Sequence, residues 1–209
     1  MARRRWLILG IACAAFLVAF WAVAARHQTP SGQPALAEVT QQTLDSVKQE
    51  FNASADSERV LLLLSPTCPV CVKGSSVVND ILKRHTGRKI RVIAVWEPML
   101  PTDWNRPTSA VLNRLSDQRA IQWWDKQHLI AGLLKASAAS QNPGCCKRNG
   151  TLWDVIAVYP PGTKWTESLP PPSRESHGWQ IRLVFLWTSL ERFVAQVQFS
   201  FSISAGTNV

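Results

Sequence analysis

Long uncharged runs alternate with short polar breaks along this chain, and the breaks set the elements. The first run, Trp6 to Ala25, lies between Arg3-Arg4-Arg5 and Arg26. Twenty helical residues rise about 30 Å, the thickness of a bilayer's hydrocarbon core. A secretory signal has a shorter apolar core of about 7–15 residues, yet Ala22-Val23-Ala24 offers a small-x-small cleavage site. Residues 1–26 therefore read either as a retained membrane anchor, spanning with residues 6–25, or as a removed signal segment. Arginines at the start stay in the cytoplasm by the positive-inside rule. The expectation is a single-pass protein whose domain faces the periplasm or the cell exterior. Cys13, inside the run, reads as a small lipid-embedded hydrophobe.

Residues 27–42 lack apolar periodicity and read as a linker. Leu44, Val47 and Phe51 then fall at helical spacing. Val60 to Leu64 is apolar at every position, as in a strand buried on both faces, and Ser65-Pro66 ends it. Val72, Val77, Val78, Ile81 and Leu82 form the buried stripe of a helix entered at Pro69, where a first turn tolerates proline. Ile90 to Trp96 is the next strand, closed by Glu97-Pro98. Strand, helix, strand in this order makes a parallel βαβ unit with a right-handed crossover.

Residues 98–107 read as a proline-rich loop, and Thr108 to Ala139 as a long helical region in which Asp117 caps a second helix. A loop at 142–150 leads into a strand from Trp153 to Tyr159. Pro160-Pro161-Gly162-Thr163 turns the chain, and Lys164-Trp165 starts a return strand. Pro170-Pro171-Pro172 closes a domain spanning 43–172. Residues 173–209 form a C-terminal tail, apolar from Ile181 to Phe201, with no task assigned.

Charge narrows the picture only a little. Four of the nine excess positive charges are Arg3, Arg4, Arg5 and Arg26. Much of the remainder lies at Lys83-Arg84-His85, Arg88-Lys89 and Arg91, a solvated helix end and strand entry or a face for an acidic partner or anionic lipid. An exported domain has no nucleic acid to meet. No Ser/His/Asp arrangement, Walker loop or carboxylate pair stands out, and no motif calls for a cofactor.

The chemistry gathers at Cys68-Pro69-Val70-Cys71, between the buried strand and its helix. Thiolate rather than thiol attacks a disulfide, so the first cysteine needs a lowered pKa, and a helix N-terminus with its unpaired N–H groups supplies one. Cys71 is one helical turn on, close enough to close a disulfide. Lys73 adds positive charge nearby. An inert disulfide staple and a metal site remain as alternatives for the same pair.

A buried strand running into Cys-Pro-x-Cys, then a helix and a parallel strand, resembles the thioredoxin superfamily. Among its members, glutaredoxins and membrane-tethered bacterial thioredoxin-like proteins are nearest in motif. The resemblance covers about residues 45–172. It implies an α/β thioredoxin-like fold with an extended helical insertion, Cys68 as attacking and Cys71 as resolving cysteine, and exported thiol or disulfide proteins as partners. Two positions depart from the family: Thr67 stands where tryptophan is usual, and Thr151-Leu152 stand before Trp153 where the family places its cis-proline.

Cys145-Cys146 bears on the same question. A third strand running antiparallel would begin at the edge where the cysteine helix begins, which brings its incoming loop towards Cys68. The second pair could then exchange electrons with the first. It could instead join Cys68 and Cys71 around a soft ion, copper or mercury, in a non-catalytic binding protein, or simply order its loop as a disulfide. His128, four residues after Trp124, reads as a half-buried helix histidine. Trp96, Trp104, Trp123, Trp124, Trp153 and Trp165 read mainly as core.

Overall fold

Leu61 to Leu64 are buried because the strand they form is covered on both faces. The structure, a computed structural model, describes residues 11, 13, 16, 25–137 and 147–177. After a 3-10 turn at Ala25–His27 come β1 (Ala37–Glu38), α1 (Leu44–Ala53), β2 (Glu58–Leu64), α2 (Pro69–Arg84) and β3 (Ile90–Trp96). The chain continues through α3 (Ser109–Leu112), β4 (Ala120–Trp124), α4 (Leu129–Ser137), β5 (Lys147–Arg148) and β6 (Thr151–Leu152). It closes with β7 (Val155–Tyr159) and β8 (Arg174–His177).

Six strands form one mixed sheet in the order β1-β4-β3-β2-β7-β8. The first four run parallel, and β7 and β8 are each antiparallel to the neighbour before them. The period of two in side-chain direction splits the core into two layers. Val60, Leu62 and Leu64 pack with Val78 and Leu82 of α2 and with Leu112. Leu61 and Leu63 pack with Val47 and Phe51 of α1 and with Ile130 and Leu134 of α4. The expected βαβ unit is present, in register from Glu58↔Ile90 to Leu64↔Trp96.

Three segments differ from the sequence reading. The helical stretch expected from Thr108 to Ala139 is instead helix, strand and helix, with β4 inserted beside β3. All five residues of β4 are buried. Its polar Gln122 is satisfied inside, accepting from Trp96 Nε1 at 3.0 Å and donating to Gln33 Oε1 at 2.8 Å. Asp117 caps no helix. Its Oδ1 accepts from the Arg119 N–H at 2.9 Å at the entry to β4. The acid that serves a helix start is Asp125, whose Oδ2 accepts from the Ile130 N–H in the first turn of α4 at 2.8 Å.

Within residues 27–42, expected as a linker, several positions are docked. His27 Nδ1 lies 3.0 Å from the Pro107 carbonyl, the Gln28 N–H donates to Ser109 Oγ, and Leu36 and Val39 are buried. These contacts fall at isolated positions without regular spacing, so the hydrophobic pattern carries no signal of them. Lys164-Trp165 forms no strand. Asn52 clasps Trp165 instead, accepting from its N–H and donating to its carbonyl, both at 2.8 Å. The strand returns only after the three prolines, at β8.

The expected anchor lies almost wholly outside the described residues, and no helix among those described is long and apolar enough to cross a membrane. Of the anchor stretch, Ile11, Cys13 and Phe16 are described as helical and exposed. Residues 178–209, most of the expected tail, also lie outside the description.

Candidate functional site

The carboxyl end of β2 delivers the cysteines. Ser65 leaves the strand, Pro69 opens α2, and Cys68 occupies the N-cap with φ −76 and ψ 116. That extended backbone turns the Cys68 side chain over the helix end, where Sγ accepts from the Cys71 N–H at 3.4 Å. Cys71 follows one turn later and is wholly buried, while Cys68 keeps 6% of its surface exposed. The two are not joined in a disulfide.

The two sulfurs are electrostatically unlike. The Cys71 thiol's hydrogen bond lowers the Cys68 pKa from 9.0 to about 6 against the cost of burial, and the backbone N–H groups of Cys71 and Val70 assist. Asp154 opposes with its negative charge. Cys71 moves strongly the other way, because its proton is held by Cys68 and because burial and Asp154 disfavour a second negative charge. Near neutral pH the pair is one thiolate and one thiol. Lys73 is exposed, and the helix amides rather than its charge act on Cys68.

Asp154 was not singled out from sequence. It immediately precedes β7, whose Val155 pairs with Leu63 at the carboxyl end of β2. Antiparallel pairing thus places Asp154 at the foot of α2, buried, with its Oδ1 3.4 Å from Cys71 Sγ. Its φ of +55 lies in the left-handed region that aspartate tolerates better than most residues. The Cys71 S–H therefore has two acceptors within reach, the Cys68 sulfur and the Asp154 carboxylate. In front of β7, the residue in contact with Cys71 is an acid.

A second acid fixes the approach to Cys68. Asp103, in the loop after β3, accepts at Oδ1 from the Thr67 N–H (2.9 Å) and hydroxyl (2.6 Å). Its Oδ2 accepts from Ser65 Oγ at 2.7 Å and from the N–H groups of Met99 and Leu100. Burial acts to raise its pKa, but these hydrogen bonds outweigh burial and hold the carboxyl below its ordinary value. Thr102 and Thr67 also share a hydroxyl contact. The strand-to-helix turn that carries Cys68 is thereby tied to loop 98–107.

Further along the same sheet edge stands Glu97, which follows β3 and is fully buried. Its Oε2 lies 3.0 Å from His128 Nδ1. His128 is half-buried as expected, but it precedes α4 in a left-handed conformation, φ +57, rather than lying within a helix. Of the six tryptophans weighed from sequence, Trp96, Trp123, Trp124 and Trp165 are core, Trp153 is half-buried, and Trp104 is exposed.

Cys145-Cys146 lies outside the described residues, and so does its expected approach to Cys68-Cys71. The next residues form a hairpin, β5 paired with β6 around Asn149-Gly150, whose positive φ values of 50 and 83 suit a two-residue turn. Among the described residues no group of three or more His, Cys, Asp or Glu side chains could hold a metal ion. Cys68 and Cys71 alone could offer two soft sulfur ligands. No protein-family profile, curated protein or solved structure matches the chain.

Proposed function

We propose that the protein is a membrane-tethered, extracytoplasmic thiol–disulfide oxidoreductase with a thioredoxin-like core, acting on exported proteins through Cys68 and Cys71. The observation that carries this reading is the unequal pair at the start of α2: a stabilised Cys68 thiolate above a buried Cys71 thiol. The strand order β3-β2-β7-β8, with the cysteines leaving β2, supports the thioredoxin-like core. The uncharged run 6–25 supports the tether.

In the reducing direction Cys68 thiolate attacks one sulfur of a substrate disulfide. A bond forms between Cys68 and that sulfur, and the other substrate sulfur leaves as thiolate and takes a proton from solvent. Cys71 then loses its proton to Asp154, attacks Cys68 Sγ and expels the second substrate thiolate. Two electrons have passed to the substrate, and Cys68-Cys71 is a disulfide. The oxidising direction is the same path reversed, and the potentials of partner and compartment select between them.

Trapping tests the reading. A Cys71→Ser variant should accumulate mixed disulfides through Cys68 that reductant releases. An ordinary thiol pKa at Cys68, with no trapped partner, would sink the assignment. The soft-metal reading makes a different forecast: anaerobic Cu(I) would bind tightly and stoichiometrically, and both Cys68→Ala and Cys145→Ala would abolish it.

A further inference from the structure

Among the described residues, three large apolar side chains are left exposed: Ile11 (70%), Phe16 (72%) and Trp104 (84%). Two belong to the uncharged run 6–25. The third stands on loop 98–107, and the structure brings that loop to the point where the run ends. Ala25–His27 forms a 3-10 turn, His27 Nδ1 lies 3.0 Å from the Pro107 carbonyl, and the Gln28 N–H donates to Ser109 Oγ at 2.8 Å. Arg106 adds an ion pair with Glu38 at 2.7 Å. The run thus meets the domain directly, at the end of this loop. Pro107 is three residues after Trp104, so their backbones lie within about 11 Å of each other.

A bilayer crossed by residues 6–25 ends close to Arg26, and therefore close to the level of Trp104. The head-group layer on each side of a bilayer is roughly 5–8 Å deep. Tryptophan gathers there because its ring is apolar and its N–H is polar. The side chains exposed around it suit that layer: Pro101, Thr102, Asn105, Arg106 and Thr108 include no acid, and Arg26 is exposed beside them. The loop's one acid, Asp103, is buried and bonds inward to Ser65 and Thr67, which lead into Cys68. Loop and cysteine turn also leave the same edge of the sheet, where the Glu97 N–H donates to the Leu64 carbonyl at 2.8 Å.

We infer that loop 98–107 is a second membrane contact: Trp104 enters the head-group layer of the bilayer crossed by residues 6–25, and the domain is held with its cysteine edge towards that surface. The inference rests on the tether in the proposed function and gives the tethered domain an orientation. Thiol exchange at Cys68 then takes place beside the lipid surface, not at the end of a free stalk.

The test uses the full chain in phosphatidylcholine–phosphatidylglycerol vesicles with brominated acyl chains, which quench indole fluorescence on contact. The spectrum of wild type minus that of Trp104→Phe isolates Trp104 from the other tryptophans. That difference should lose most of its intensity in lipids brominated near the head group, and less in lipids brominated near the chain end. A Trp104→Phe, Gly87→Trp double variant moves the indole to the opposite edge, where a Cβ at residue 87 meets nothing within 4 Å. The seven residues of β3 set the two edges about 23 Å apart, so the moved indole should keep its full intensity. An unquenched Trp104, or equal quenching at both positions, overturns the inference. So does a Trp104→Phe change that abolishes partner trapping by Cys71→Ser while Trp104 is unquenched, since a protein surface would then cover the indole. Alkaline carbonate extraction separates the two levels. Protein retained in the membrane with Trp104 unquenched leaves the tether and sinks the loop contact. Protein released by carbonate, with Trp104 quenched before release, sinks the tether and leaves the loop contact standing.

Discussion

Cys71 Sγ and Asp154 Oδ1 stand 3.4 Å apart in the interior, joined across a sheet edge by residues 83 positions apart in sequence. Neither group has much surface exposed, so proton transfer between them needs no solvent. In the proposed exchange, the thiol that attacks in the second half therefore has a carboxylate in contact to take its proton.

Asp154→Asn keeps the shape and removes the base. A positioned acid or base typically contributes about 10²–10⁴-fold, so decay of a preformed Cys68 mixed disulfide should slow by at least the lower figure. Formation of that mixed disulfide should not slow, because Asp154 opposes the Cys68 thiolate. Rapid-quench separation of the two steps checks this. Equal slowing of both would show a structural defect, and no slowing would remove Asp154 from the mechanism.

Alkylation of Cys68 should titrate with a midpoint of about 6. Cys71→Ala removes the donor that contributes most, so its midpoint should move upward. The linked effect on stability has a definite sign. Between about pH 6 and 9 the folded dithiol binds fewer protons at Cys68 than the unfolded chain. This contribution is complete above pH 9 and is lost as pH falls through 6. Urea midpoints of reduced wild type minus Cys68→Ala should therefore rise across that window.

The sequence made the cysteine turn legible because each of its signals was local: a continuous apolar run, a proline at the first helical turn, and a stripe at helical spacing. β4 was illegible for the opposite reason. Ile121, Trp123 and Trp124 face different layers of a sheet covered on both sides, and Gln122 is polar yet buried. Alternation in direction therefore produced no alternation in polarity. Asp154 and Asp103 were missed because their roles arise from pairings across 83 and 36 positions. An aspartate before a strand and one in a proline-rich loop look ordinary until the fold closes. Trp104 looks like any other tryptophan in the sequence, and only the burial of those in the core sets it apart.

Arg59 is a buried clamp far from the cysteines. Its Nη1 donates to the carbonyls of Ala55 at 3.0 Å and Ser57 at 2.6 Å, and its Nη2 to those of Pro160 at 3.0 Å and Thr163 at 2.7 Å. The guanidinium also lies 4.8 Å from the Phe51 ring centre. These bonds join the end of α1 to the β7–β8 connection. Arg59→Met leaves buried carbonyls without their donor, at about 1–3 kcal/mol for a group left unsatisfied, and should be seen as a lower urea midpoint. Lysine cannot serve four divergent carbonyls and should rescue less than half. The Cys68 midpoint of the folded fraction should not move.

Glu97 and His128 set an opposite pH trend. Burial pushes the Glu97 carboxyl up to about 7 despite its hydrogen bond with His128, and that bond in turn raises His128 above its ordinary value. Asp125, three residues before His128, adds negative charge that raises both. A raised pKa means that the folded state binds more protons than the unfolded chain. The contribution is complete below the unfolded carboxyl's range, about 4.5, and is lost as pH rises through about 7. Glu97→Gln holds the neutral form permanently. It should match wild type in thermal midpoint near pH 5 and exceed it near pH 8, the reverse of losing a favourable ion pair. The comparison is made in a Cys68→Ala background, which removes the rising cysteine term from the same window. A variant less stable than its parent at pH 8 would mean that the Glu97–His128 pair outweighs the cost of burying its charge.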